Sequence, residues 1–171
     1  MPETYYWDTC VFIAWLKNEG LPNRSLDEIE GIRDVVSKIE KGTVKLITSA
    51  ITIAEMLECD MPPGATDLFK SLLQRRMMVT ISVDIKVAGL ASNLRSYYKK
   101  SKEHEKTLCT PDALHLATAI LYKADEFHTF DGSNKKSLGL LNLGGDVGGY
   151  PLIIRKPKSA QFGLDLTMKK D

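Results

Sequence analysis

Cysteine and histidine are scarce, with three of each in 171 residues. Cys10, Cys59 and Cys109 are odd in number, far apart and without a CxxC spacing, so they suggest neither a disulfide framework nor a zinc site. His104, His115 and His128 show no ligand spacing either. A reducing cytoplasm is the compartment expected of such a chain. No sign of charge dominates: 23 basic against 22 acidic side chains leave a formal net charge of +1. Any nucleic-acid site must therefore be a local patch rather than a basic surface. Long apolar runs are missing too. "CVFIAWL" is far too short to cross a bilayer, and "MPETYYWD" lacks the basic and apolar regions of a signal peptide, so a soluble protein with no membrane partner is expected. No internal repeat or low-complexity block interrupts the chain.

The sequence has 43% hydrophobic and 26% charged residues, ordinary globular proportions, and enough length for one domain with its own core. Its organisation is strand, then helix, repeated. "TYYWD" reads as a short strand before the apolar helix "CVFIAWLKNEG". Ser25 and Glu28 form an S-x-x-E capping box ahead of Ile29, Ile32, Val36 and Ile39, which recur at helical spacing until Gly42. "TVKLITS" reads as a strand and "AITIAEMLEC" as a short helix; Pro62-Pro63-Gly64 breaks the chain before a helix over "ATDLFKSLLQRR". "MMVTISV" is a strand, Asp84 caps a helix through about Tyr98, and "SKEHEKTLCT" is a polar loop. In "TPDALHLATAIL", Thr110 suits a cap, Pro111 the first helical position and Asp112 the first turn, where the helix dipole favours an acid. "EFHTF" is the next strand, and "PLIIR" in the glycine-punctuated tail is a candidate last edge strand.

Strands separated by helices imply parallel pairing with crossovers on both faces, hence a three-layer α/β/α domain around a mostly parallel sheet. In such sheets sites form beyond the carboxyl ends of the strands. Four acids fall at those places: Asp8 at the end of the first strand, Glu55 about a turn into the helix after "TVKLITS", Asp112 at its helix start and Asp131 after "EFHTF". Each has a plain explanation when taken singly. Glu55 suits an exposed helix face, Asp131 before Gly132 is an ordinary turn pair, and Asp8 before Thr9 suits a helix cap. Together they are costly, because clustered carboxylates raise each other's pKa unless a cation neutralises them. Oxygen donors with few His or Cys neighbours suit Mg²⁺ or Mn²⁺.

The strings "YYWDTCVFIAWL", "TSAITIAEML" and "TPDALHLATAILYKADEFHTFDG", in this order and spacing, resemble the PIN-domain nucleases, especially the VapC-like toxin ribonucleases of toxin-antitoxin pairs. The shared features are Asp-Thr at the first strand's end, S-x-x-x-x-x-E, P-D-A-x-x-x-A-T-A and T-x-D. The resemblance covers roughly residues 4–136. It implies a metal-dependent endoribonuclease in which Asp8, Glu55, Asp112 and Asp131 hold one or two Mg²⁺ or Mn²⁺ ions. It also implies supporting roles for the hydroxyls of Thr9 and Thr129, and attack by metal-activated water. Many members carry a further acid three residues after T-x-D, where this chain has Asn134, a neutral supporting position. The implied partners are RNA, a cognate antitoxin and a second copy of the chain. Residues 1–143 are expected to form the PIN-like domain and 144–171 an extension adding an edge strand to it.

Two alternatives remain at this level: a PIN nuclease of RNA processing, and a catalytically silent PIN-like module that binds RNA or protein. His115, one turn from Asp112, reads first as a packed histidine and second as a contact to the site. "RSYYKKSKEHEK" reads first as a solvated helix end, since Glu103 and Glu105 dilute its charge. Its second reading is an RNA-tracking patch, with Arg95, Lys99, Lys100 and Lys102 on phosphates and the two tyrosines available for stacking.

Overall fold

In the computed structural model, residues 2–19, 22–100, 107–132 and 138–159 are described. Chain order is β1 (Glu3–Trp7), α1 (Thr9–Leu16), α2 (Leu26–Glu40), β2 (Val44–Ser49), α3 (Ile51–Leu57), α4 (Ala65–Leu73), β3 (Met78–Ile81), α5 (Ile85–Lys100), α6 (Thr110–Leu121), β4 (Glu126–His128), β5 (Asp146–Val147), β6 (Tyr150–Pro151) and β7 (Ile153–Arg155). A 3₁₀ turn at Leu140–Asn142 lies between β4 and β5. The principal sheet runs β3-β2-β1-β4-β7 with every neighbouring pair parallel. Its edge strand β7 comes from "PLIIR". Strands β5 and β6 form a separate antiparallel ribbon turned by Gly148 and Gly149, whose φ values of 61° and 90° suit the mirror-image turns such ribbons require.

The central strands are apolar on both sides because helices cover both faces. Tyr5 and Trp7 of β1, with Val44 and Leu46 of β2, pack under α1, α2 and α4 through Val11, Phe12, Val35, Phe69 and Leu72. Tyr6 and Ile47 point the other way, onto Leu90, Leu94, Ala113, Leu116 and Ala117 of α5 and α6. One residue of register separates the two cores, so the alternation along "TYYW" is what places Tyr6 beneath α6.

Local chemistry explains most element ends. The Ser25–Glu28 capping box forms in both directions, at 3.3 and 3.0 Å. Asp84 Oδ1 accepts from the N–H groups of Lys86 and Val87, and α5 runs two residues past Tyr98 to Lys100. Some boundaries differ from expectation. Cys109 rather than Thr110 caps α6, its Sγ accepting from Asp112 N at 3.4 Å, so Thr110 and Pro111 are already helical. Strand β4 ends at His128, short of Thr129 and Phe130, although the Thr129 N–H still donates to the Arg155 carbonyl of β7 at 3.0 Å.

The chain beyond β7 crosses α2. Lys156 Nζ reaches Glu28 Oε1 at 2.6 Å, and buried Pro157 lies against Gly31 in the middle of the helix. A Cβ at Gly31 would come within 2.4 Å of the Pro157 carbonyl carbon and oxygen, backbone atoms with no side-chain freedom to yield. Glycine inside a helix normally costs roughly 0.5–1 kcal/mol relative to alanine. Gly31→Ala is therefore expected to lower the melting temperature despite its better helix propensity. Gly89→Ala, in α5 with nothing within 4 Å of the added methyl, should raise it slightly. Thermal melts of the two variants beside the parent check this; stabilisation by Gly31→Ala would contradict the packing described.

Candidate active site

Strand order reverses direction at β1: the chain steps outward to β2 and β3, then returns across β1 to β4. The loops after β1 and β4 diverge at such a reversal and leave a crevice at the carboxyl edge of the sheet. Asp8 follows β1 into that crevice. Trp7 pairs with His128, and Asp8 N–H donates to the His128 carbonyl at 3.2 Å, so Asp8 and Thr129 emerge side by side. Asp8 is only 5% exposed. Its Oδ1 caps α1 by accepting from Cys10 N at 2.9 Å and Val11 N at 3.4 Å, and from the Cys10 thiol at 2.7 Å. Thr129 Oγ1 donates to Oδ2. Burial nevertheless pushes the Asp8 carboxyl up, against the opposing pull of His115, Cys10 and Thr129. The Cys10 thiol lies well above its ordinary range through burial and the Asp8 charge, so it keeps its proton and acts as a donor.

Glu55 enters from α3, which begins directly beyond β2 and touches both α1 and α6. Its Oε2 accepts from Thr9 Oγ1 and stands 2.9 Å from His115 Nε2. Burial raises the Glu55 carboxyl, but the bonds from His115 and Thr9 outweigh it and the net shift is downward. On the far side of the His115 ring, Nδ1 lies 2.6 Å from Tyr6 Oη. His115, which the helical pattern places first in the packed core, is both buried and bonded to one of the four acids. The signal was its position one turn after Asp112. Its partner Tyr6 lies on the opposite end of the chain and could not be read from spacing.

Asp112 occupies the first turn of α6, half-buried. Burial raises its carboxyl to about 6, with further upward pressure from Asp131 and Asp8 and relief from Cys109 and His115. The Cys109 thiol, pushed up to about 12 chiefly by burial, stays protonated beside it. Asp131 is tied to the loop that follows: Oδ2 accepts from Leu140 N at 3.0 Å, and its N–H donates to Thr129 Oγ1 at 2.9 Å. Thr129 thus links Asp8 and Asp131 through one hydroxyl.

All four acids line one cleft of about 440 Å³, together with Thr9, Cys10, Ile13, Glu58, Cys59 and His115. Glu58, the C-cap residue of α3, is exposed and also lies on this cleft. Among the described residues no three His, Cys, Asp or Glu side chains close on a single point as ligands of one ion would. The chemistry of the donors still fits a hard divalent cation, since carboxylates and hydroxyls predominate and Asp112 is raised partly by its acidic neighbours. Arg95 and Lys99 do not line the acidic cleft. They border a second cleft of about 520 Å³ between α5 and α6, with Thr107, Thr110 and Leu114, and Arg95 Nε donates to the Leu108 carbonyl. Lys100 is exposed at the end of α5, and Lys102 and Asn134 lie outside the described residues.

Several known structures share this architecture. One is VapBC2 from Rickettsia felis bound to a DNA fragment from its promoter, matched with a TM-score of 0.61 at 14% identity over 88% of this chain and 98% of that one. Another is a toxin-antitoxin complex from Klebsiella pneumoniae, at a TM-score of 0.50 and 19% identity over 91% and 98% of the two chains. No curated protein sequence matches the chain. The sequence model of the PIN domain matches residues 5–136, the span that runs from within β1 through β4 and carries all four acids, and the chain belongs to the PIN-domain family.

Proposed function

We propose that this protein is a Mg²⁺- or Mn²⁺-dependent endoribonuclease and the toxin of a toxin-antitoxin pair. The observation that carries the reading is the assembly of Asp8, Glu55, Asp112 and Asp131, from four separate places in the chain, on one cleft at the carboxyl edge of the sheet. PIN domains are generally nucleases, and PIN nucleases generally use divalent metal ions. The toxin role draws on the fold shared with the R. felis and K. pneumoniae complexes. Cytoplasmic action on RNA, a cognate antitoxin that covers the cleft, and a homodimer belong to the same reading.

A bound divalent cation would neutralise the charge that develops on the phosphodiester and supply an activated water at neutral pH. The protein's part is to hold the acids ready. Asp8 is fixed by the α1 cap and the Thr129 hydroxyl, Glu55 by Thr9 and His115, and Asp131 by the Leu140 loop. Asp112, raised to about 6 chiefly by burial, changes charge near neutrality. Arg95 and Lys99, beside the first turn of α6, are suited to hold backbone phosphates of a strand leaving the cleft.

Replacing Asp112 tests the reading from two directions. Asp112→Asn should reduce RNA cleavage on the order of 10²- to 10³-fold, as loss of a charged stabiliser does. An acid raised to about 6 in the fold from 3.8 binds its proton more tightly folded than unfolded. Its ionised form therefore costs stability above about pH 6, and the cost fades as pH falls toward the unfolded value. Metal-free Asp112→Asn should accordingly melt higher than the parent at pH 7, with the gap narrowing in acid. Full cleavage by the variant would remove Asp112 from the machinery.

Mn²⁺ or Mg²⁺ should raise the melting temperature of the EDTA-treated protein, since a ligand held by the native state stabilises it by roughly 2.7 kcal/mol at a hundred times its Kd. Asp8→Asn should blunt the response. Cleavage that persists in excess EDTA, with calorimetry detecting no cation binding, would defeat the metal-dependent mechanism.

A further inference from the structure

We infer that Tyr6 and His115 form a buried positioning relay that orients the Glu55 carboxylate toward its ligand, an inference that rests on the proposed function. Both residues are buried, Tyr6 at 0% exposure in the core and His115 at 3% where it lines the cleft. Three polar contacts run in series. Ser49 N–H, at the end of β2, donates to Tyr6 Oη at 3.1 Å; Tyr6 Oη lies 2.6 Å from His115 Nδ1; His115 Nε2 lies 2.9 Å from Glu55 Oε2.

The direction of the relay follows from which atoms can donate. Tyr6 Oη already accepts from the Ser49 N–H, and a phenol has one proton of its own to give, so the hydroxyl donates onward to Nδ1. An imidazole that accepts at Nδ1 carries its proton at Nε2. Nε2–H then donates to Glu55 Oε2, where Thr9 Oγ1 also donates. Both bonds fall on the same carboxylate oxygen, which leaves Oε1 to meet a cation or a substrate. The Glu55 side chain is 28% exposed and rises from a short helix, so without these bonds it would sample several rotamers. The relay ties it instead to the sheet through Tyr6 and to α6 through His115. Partners of this kind, one bond removed from a ligand, typically change metal affinity or activity by 10- to 100-fold when lost.

Three variants and one spectrum test the relay. The variants are His115→Ala, His115→Gln, which keeps an amide donor near Glu55, and Tyr6→Phe, which keeps the ring stacked on Phe127 at 4.8 Å but removes the hydroxyl. Each is first checked by thermal melt. Mn²⁺ affinity is then measured by calorimetry without RNA, and kcat and KM separately on one RNA. His115→Ala should weaken Mn²⁺ binding at least about tenfold and lower kcat more than it alters KM, and His115→Gln should recover most of both. Two-bond ¹⁵N–¹H spectra of the parent should show the His115 imidazole protonated at Nε2, with mixed tautomers in Tyr6→Phe. A His115→Gln variant that is folded yet as impaired as His115→Ala would assign His115 to packing and overturn the relay, as would unchanged Mn²⁺ affinity in His115→Ala. A parent protein that binds no Mn²⁺ would sink the functional reading instead. The imidazole then decides the relay alone: a proton on Nδ1 in the parent, or an unaltered spectrum in Tyr6→Phe, overturns it.

Discussion

Taking a carboxylate out of water costs several kcal/mol unless donors replace the lost hydration, and the Asp8 carboxylate is met by two backbone N–H groups, a thiol and a hydroxyl. Those donors come from both sides of the crevice. The N–H groups and the thiol belong to the first turn of α1, whereas Thr129 belongs to the chain leaving β4. The same side chain that begins the helix therefore locks β4's exit against β1, and Thr129 passes the constraint on to Asp131 through the Asp131 N–H. The position of the cleft depends on this junction. Without it, the segments that carry Asp8 and Asp131 would still be joined by the pairing of β1 with β4 and by the Phe130 N–H bond to Cys10 Sγ, but the Asp8 carboxylate would not be held between them.

The acids are not electrostatically alike. Glu55 is held below its ordinary range by direct bonds from His115 and Thr9, although burial opposes them. Asp112 is held above its range, at about 6, chiefly by burial and by its acidic neighbours. Separating the two environments keeps one carboxylate firmly ionised and leaves the other responsive to added positive charge. Both environments come from placement: Glu55 is opposite donors on α1 and α6, while Asp112 shares its surroundings with Asp131 and Asp8.

Much of this was legible in the sequence, for reasons that separate the residues read from those missed. Asp8, Asp112 and Asp131 stand at or near the start of a helix or the end of a strand, Glu55 stands in the second half of the short helix directly beyond β2, and parallel strands send such ends to one edge. The capping signals of Ser25, Glu28 and Asp84 are local and were read directly. What escaped involves partners far apart in the chain. His115 on an apolar helix face looks like core until Tyr6 is found beside it, 109 residues away. Gly31 looks like a flaw in α2 until Pro157 is found on top of it. Cys109 outcompetes Thr110 as a cap because the helix starts one residue earlier than Pro111 suggested.

Trp7 has an optical consequence. Its indole is fully buried, donates to His128 Nδ1 at 3.1 Å, packs edge-on against Phe12 and is joined by one peptide bond to Asp8. Trp15, the second tryptophan of the chain, is only half-buried, on α1 and away from the strand. The protein thus carries an intrinsic fluorophore in a dry, fixed setting next to its most constrained carboxylate, with emission expected toward the blue. Any event that loosens the start of α1 or the exit of β4 moves water or charge toward that ring, which makes the junction observable in dilute solution without a label.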